Sequence, residues 1–202
     1  MALNFANNNS LSAITALPAS ITGGALNLIS TQTASSSSTI DFTSGIDSTY
    51  KEYIFKFINL HASSDGPYLM FQGNASGGSG FNETITSTYF IAYNHEDGTT
   101  GADVGYSTGG DLANGTGFQR LCQDVGNGND ESVSGTLHLF DPSNTTFVKH
   151  FIARASLYDT ANGNGDNYTA GYFNTTSAID EIQFKFEAGN IDSGVIKLYG
   201  VS

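Results

Sequence analysis

Ala178-Ile179-Asp180-Glu181-Ile182-Gln183-Phe184-Lys185-Phe186-Glu187 is followed by Ala188-Gly189-Asn190-Ile191-Asp192-Ser193-Gly194 and then by Val195-Ile196-Lys197-Leu198-Tyr199-Gly200-Val201-Ser202. In the first run Ile182, Phe184 and Phe186 alternate with Gln183, Lys185 and Glu187. A period of two puts one set on each face of a strand, apolar inward and polar outward. In the last run Ile196 and Leu198 alternate with Lys197 and Tyr199. The Gly, Asn, Asp and Ser between them are turn residues. The chain therefore ends in two strands that form a hairpin or cross between sheets.

The same pattern extends upstream. Ala25–Ser30 and Thr39–Phe42 read as short strands, separated by a serine run, Ser35–Ser38. Tyr50–His61 is the strongest strand: Tyr53, Phe55 and Phe57 share one face, and Ile54, Ile58 and Leu60 share the other with Lys56. A strand apolar on both faces is covered on both, by its own chain or by another subunit. Tyr53, Phe55, Phe57, Ile54 and Ile58 are thus candidates for an oligomer interface. Asp65-Gly66-Pro67 turns the chain and Tyr68–Gln72 returns, so residues 50–72 read as a hairpin. Thr84–Tyr93 and Phe118–Val125 are further strands. Val133–Phe140 and Phe147–Ala155 flank Asp141-Pro142-Ser143-Asn144, whose Asp and Pro suit a type I turn, giving a second hairpin. A Gly/Asn loop over Asp159–Asn167 leads to a strand at Tyr168–Phe173.

About ten closely spaced strands without a helix argue an all-β fold, a two-sheet antiparallel β-sandwich of jelly-roll-like type. The 202 residues fit one such domain over 25–202, preceded by an N-terminal arm or edge segment, 1–24.

The chain carries 19 Asp and Glu against 7 Lys and Arg, a formal charge of -12. Such a surface repels phosphate backbones, which disfavours nucleic acid as a partner. No run of about 18 apolar residues is present, so no membrane span is expected. The first charged residue is Asp41, which leaves no basic segment of a signal peptide. The Asn-x-Ser/Thr sequons then reflect an Asn- and Thr-rich composition. The single cysteine, Cys122, excludes an internal disulfide and reads as a small buried apolar residue.

No stretch carries a catalytic signature: there is no G-x-S-x-G, phosphate-binding glycine loop, H-E-x-x-H or C-x-x-C. The chain therefore reads as non-enzymatic, with no cofactor. An enzyme would need two converging carboxylates roughly 5–10 Å apart, and no spacing points to such a pair. The Asp141 hairpin could bring His138 and His150 together, but a metal would need a third ligand. His95-Glu96-Asp97 reads as a solvated loop. The candidate calcium loop is Asp159, Asn162, Asn164 and Asp166, which offers hard oxygens on a glycine backbone, although a plain Asx-rich turn accounts for the same residues. Tyr89, Tyr93 and Tyr106 are the candidate sugar-stacking aromatics.

Three segments carry a family likeness. Ile46-Asp47-Ser48-Thr49-Tyr50-Lys51-Glu52-Tyr53-Ile54-Phe55-Lys56-Phe57-Ile58-Asn59-Leu60-His61 resembles a segment of virion proteins of marine tailed bacteriophages, cyanophage-like decoration and fibre proteins among them. Ser134-Gly135-Thr136-Leu137-His138-Leu139-Phe140-Asp141-Pro142-Ser143 with Val148-Lys149-His150-Phe151 resembles a second. Ser193-Gly194-Val195-Ile196-Lys197-Leu198-Tyr199-Gly200-Val201 resembles the family's ending. The matching residues are strand and turn residues, so no functional residue carries over. The resemblance implies a non-enzymatic virion structural protein, made in the host cytoplasm and exposed on the particle as a capsid decoration or a tail- or fibre-associated component. A part of this kind is expected to be a homo-oligomer, most simply a trimer, among other capsid or tail proteins. The alternative is a receptor- or carbohydrate-binding module of a tail fibre that engages a host-surface glycan.

Overall fold

The computed structural model describes residues 25–98 and 101–202. The expected N-terminal arm, 1–24, lies outside the described residues. Among those described there are twelve strands and no helix. They are β1 (Leu26–Thr33), β2 (Ile40–Phe42), β3 (Glu52–Ala62), β4 (Leu69–Ala75), β5 (Ile85–His95) and β6 (Ala102–Tyr106), then β7 (Gln119–Cys122), β8 (Val133–Phe140), β9 (Lys149–Tyr158), β10 (Gly163–Phe173), β11 (Ile179–Phe186) and β12 (Ile191–Val201).

The strands form two antiparallel sheets, one of eight strands in the order β1-β12-β3-β8-β9-β10-β5-β6 and one of four in the order β2-β11-β4-β7. The β1-β12-β3-β8 block faces β2-β11-β4-β7, and the chain crosses between them at every step but β4 to β7. That is the connectivity of a jelly roll. Two hairpin insertions account for the rest: β5–β6 follows β4, and β9–β10 follows β8. They meet through a β5–β10 ladder that runs from Ile85↔Phe173 to His95↔Gly163. Together they lengthen the larger sheet without adding to the smaller.

The core lies between the sheets and is knitted by phenylalanines. Phe184 on β11 meets Phe55 and Phe57 of β3 edge-to-face at 5.2 Å each, reaches Phe42 of β2 at 6.1 Å, and stacks beside Phe71 of β4 at 6.3 Å. Phe71 in turn packs on Phe151 at 5.0 Å and Phe173 at 6.0 Å. Such offset and edge-on contacts add to the burial itself. Lys149 takes an inward position on β9 and is fully buried. Its Nζ donates to the carbonyls of Phe147 (2.7 Å) and Thr175 (3.3 Å), and burial holds its pKa below the usual lysine range.

Several local expectations change. Of the two arrangements expected for the terminal pair, the structure has the crossing between sheets, β11 in the smaller and β12 in the larger. Residues 50–72 are not a hairpin: β3 already has β12 and β8 as neighbours, so β4 joins the other sheet. Leu60 does not share a face with Ile54. Asn59 adopts a φ of 48°, and the ladder with β8 shifts between Phe57 and Leu60. The bulge turns Leu60 and Ala62 inward to join Phe57. Gly194 answers it on β12 with a φ of 111°, where a Cβ would lie 2.4 Å from the Asn59 carbonyl oxygen. The polar stretch Gly163–Asn167 belongs to β10, because pairing with β9 and β5 on both sides outweighs its poor strand propensity. The β8–β9 hairpin is present, and the Asn144 amide donates to the Asp141 carbonyl at 3.0 Å.

Phe184→Ala should lower unfolding free energy by about 3–5 kcal/mol in chemical denaturation, the range for deleting a buried ring. A loss below ~1 kcal/mol would show that the ring does not hold the sheets together.

Candidate functional site: an uncovered sheet face and an acidic cleft

Four strands cover one face of an eight-stranded sheet, and among the described residues no layer lies over the other face. Register fixes which side chains stand there, since directly opposed residues point the same way. One row across the sheet runs Leu28, Tyr199, Ile54, His138, Ile152, Ala170, Thr88. The next runs Thr31, Lys197, Lys56, Thr136, Arg154, Tyr168, Phe90, Tyr106. Leu28 (56%), Ile152 (53%), Val104 (67%) and Tyr106 (55%) are well exposed on this face.

Few charges interrupt it, and most are held. Arg154 grips Asp166 through Nε (3.0 Å) and Nη2 (2.7 Å), and this pairing holds the Asp166 carboxyl below its usual range. The Glu52 carboxylate lies 2.6 Å from His138 Nδ1, and the Lys56 ammonium sits 5.4 Å from the centre of the Tyr199 ring. Phe90 and Tyr168 are stacked at 4.7 Å with an interplanar angle of 4°, and Arg154 lies 5.0 Å from the Tyr168 centre. Cross-strand rings stacked face to face stand upright on the sheet. Their faces meet each other rather than solvent, which is the wrong geometry for laying a sugar ring on top.

On the inward side, where β5, β9 and β10 run past the smaller sheet, a cleft of about 250 Å³ opens. Ile91, Tyr93 and Leu157 form its apolar wall, and Asp124, Asp159 and Asn167 its polar one. Burial raises the Asp124 pKa; Arg120 pulls the other way and the nearby Asp159 adds to the rise. Asp159 Oδ1 accepts the backbone N–H groups of Ala161 and Gly163, each at 2.8 Å, and so caps the β9–β10 turn. Asn167 Oδ1 accepts the hydroxyl of Tyr89.

The candidate calcium residues do not converge. Asp159 and Asn162 shape the turn, whereas Asn164 and Asp166 stand on the outer face of β10, where Asn164 donates to Ser156 Oγ at 2.9 Å and Asp166 is taken by Arg154. No cluster of three or more metal-binding side chains occurs among the described residues. His138 opposes Ile152 rather than His150, whose ring packs on Tyr172. His95 ends β5 with Nδ1 3.3 Å from the Ala161 carbonyl, and Glu96 enters the turn beyond it. Tyr89 is fully buried, not exposed; residues 107–119 roof it, and Gly110 packs against its ring. Tyr93 lines the cleft and the Tyr106 hydroxyl donates to Asp111 at 2.5 Å. Cys122 is buried as expected, with its thiol pushed up to about 12.

For the interface candidates the structure divides the set. Tyr53, Phe55 and Phe57 are buried against the chain's own smaller sheet, which removes them from any subunit contact. Ile54 and Ile58 stand on the outward face; Ile58 is 41% exposed, whereas Ile54 is only 8% exposed. The rest of that face went unread in the sequence. Its signal was present in strands such as β9 and β10, where Ile152, Ala170 and Tyr172 fill the outward positions. Comparison with known proteins finds no matching family model, no matching curated protein and no matching solved structure.

The Asp124 shift has a direct consequence for stability. Its folded pKa stands above the ordinary 3.8, so ionising it costs stability. The penalty is absent below that ordinary value, grows as pH rises through the folded pKa, and is complete near neutrality. Asp124→Asn should therefore raise the melting temperature near neutral pH and leave it little changed in acid. Asn tolerates the left-handed backbone here, φ 58°. An equal gain at both pH values would assign the effect to something other than the charge.

Proposed function

We propose that this chain is a non-enzymatic structural component of a tailed-bacteriophage particle, displayed on the particle as a capsid decoration or a tail- or fibre-associated part. The observation that carries this reading is a jelly roll whose larger sheet has a broad face that no described residue covers, with Leu28, Ile152, Val104 and Tyr106 exposed on it. Exposed apolar surface of this extent marks a site of protein–protein contact. The likeness of Ile46–His61, Ser134–Phe151 and Ser193–Val201 to virion proteins gives that contact its setting. Two rigid layers with loops at their ends suit a part that is made in many copies and fixed in place. In this reading the protein works as a homo-oligomer among other virion proteins. The upright Phe90–Tyr168 stack counts against a glycan-binding platform on the same face.

Antibodies raised against the purified chain should label particles of a phage that encodes it, and mass spectrometry of those particles should find the chain in many copies. Particles free of the chain by both measures would remove the reading.

A further inference from the structure

We propose that the uncovered face of the eight-stranded sheet binds a second copy of this chain, face against face, giving a twofold dimer of four stacked sheets. This rests on the surface alone and not on the virion reading. The three observations behind it are composition, charge and area.

Leu28, Tyr199 and Ile54 are consecutive in one cross-strand row, which passes through His138 to Ile152 and Ala170; Leu28 and Ile152 are its most exposed apolar members and Ile54, 8% exposed, packs beneath its neighbours. Charge then selects the occupant. Of the chain's 7 Lys and Arg, Lys56, Arg154 and Lys197 stand on this face, and of its 19 Asp and Glu the strands place only Glu52 and Asp166 there. Both acids already face a basic group, His138 and Arg154. The rest of the surface carries nearly all the negative charge, so two copies meeting elsewhere would bring acid against acid. A basic partner would be drawn to that remainder and away from this face. Among the described surfaces this face brings the fewest acids against a second copy. Beyond the Asn59 bulge the surface turns acidic again at Asp130, Glu131 and Asp192, which bounds the contact at that end.

The area suffices. Eight strands span ~34 Å at the usual spacing, and about seven paired residues per strand span ~23 Å, a footprint of roughly 800 Å². That equals the area each partner buries in an interface of standard size, about 800 Å². Two twisted sheets pack face to face at ~10 Å, the spacing already used inside the sandwich. Twofold pairing makes the contact isologous, so a residue near its centre acts twice.

The test is the solution mass of the full chain, by light scattering over a wide concentration range. Wild type should have the mass of a dimer. Ile152→Asp should halve that mass while keeping the wild-type far-UV spectrum and melting transition, because the side chain is already half exposed. Gln183→Lys, on the outer face of the smaller sheet, should leave the dimer intact. Should Ile152→Asp fail to fold, Leu28→Asp on the edge strand probes the same row. A monomeric or trimeric wild type would overturn the proposal, and a monomer would assign the face to residues 1–24 or to a different protein. A folded Ile152→Asp or Leu28→Asp protein that remains dimeric would overturn it equally.

Discussion

Phe184 packs edge-on against rings from β2 and β3 and lies beside Phe71, which itself leads to Phe151 and Phe173. This chain of rings joins the two sheets, and the arrangement of strands follows from keeping it dry. β3 supplies Phe55 and Phe57 from the larger sheet, and β11 and β4 supply Phe184 and Phe71 from the smaller. The crossings of a jelly roll deliver these strands alternately to the two sides. Lys149 is accommodated at the margin because two backbone carbonyls accept from its ammonium. A buried polar group is tolerable when its hydrogen bonds are made.

The asymmetry of the sheets sets the surface chemistry. The β5–β6 and β9–β10 insertions widen one layer only, and segments such as 107–119 cover the inner face of the added strands, roofing Tyr89 through Gly110. Among the described residues nothing comparable covers the outer face. Among the described strands β1 forms one border of the larger sheet, and it carries no charged residue over Leu26–Thr33. Natural edge strands are commonly guarded by Lys, Pro or a bulge, and β1 has the last of these, a shift between Leu28 and Ser30. The acids are concentrated away from this layer, which leaves the molecule polarised between an acidic remainder and a nearly neutral plane.

What the sequence revealed was what neighbouring residues decide. The alternation at Ile182, Phe184 and Phe186 marked an inward face, and Asp141-Pro142 marked the turn of the β8–β9 hairpin. Both are local. The β3–β4 crossing was hidden because a strand's partner is chosen by its whole environment; Asp65-Gly66-Pro67 turns the chain equally well toward either sheet. The Asn59 bulge was hidden because strict alternation assumes no extra residue. Gly163–Asn167 looked like a loop because its side chains favour one, and two flanking ladders overrule them. Of the interface set, only Ile54 and Ile58 face outward; Tyr53, Phe55 and Phe57 carry the same apolar signal for the opposite reason. The scarcity of acids on the outer layer needs the register to be seen, since Glu52 and Asp166 are far apart in the chain.

The strand order also sets a timetable. Among the described strands β1 has a single ladder neighbour, β12, the last of the twelve to be made. β5 must likewise wait for β10, with β6, β7, β8 and β9 made in between. Early strands therefore remain without their partners through most of synthesis, and neither inserted hairpin can seat fully before the other exists. Folding dominated by such distant pairings is slow, and open strand edges during the delay invite aggregation. A β1 so free of charge places an unusual demand on the cell that makes it: protection has to last until β12 has emerged.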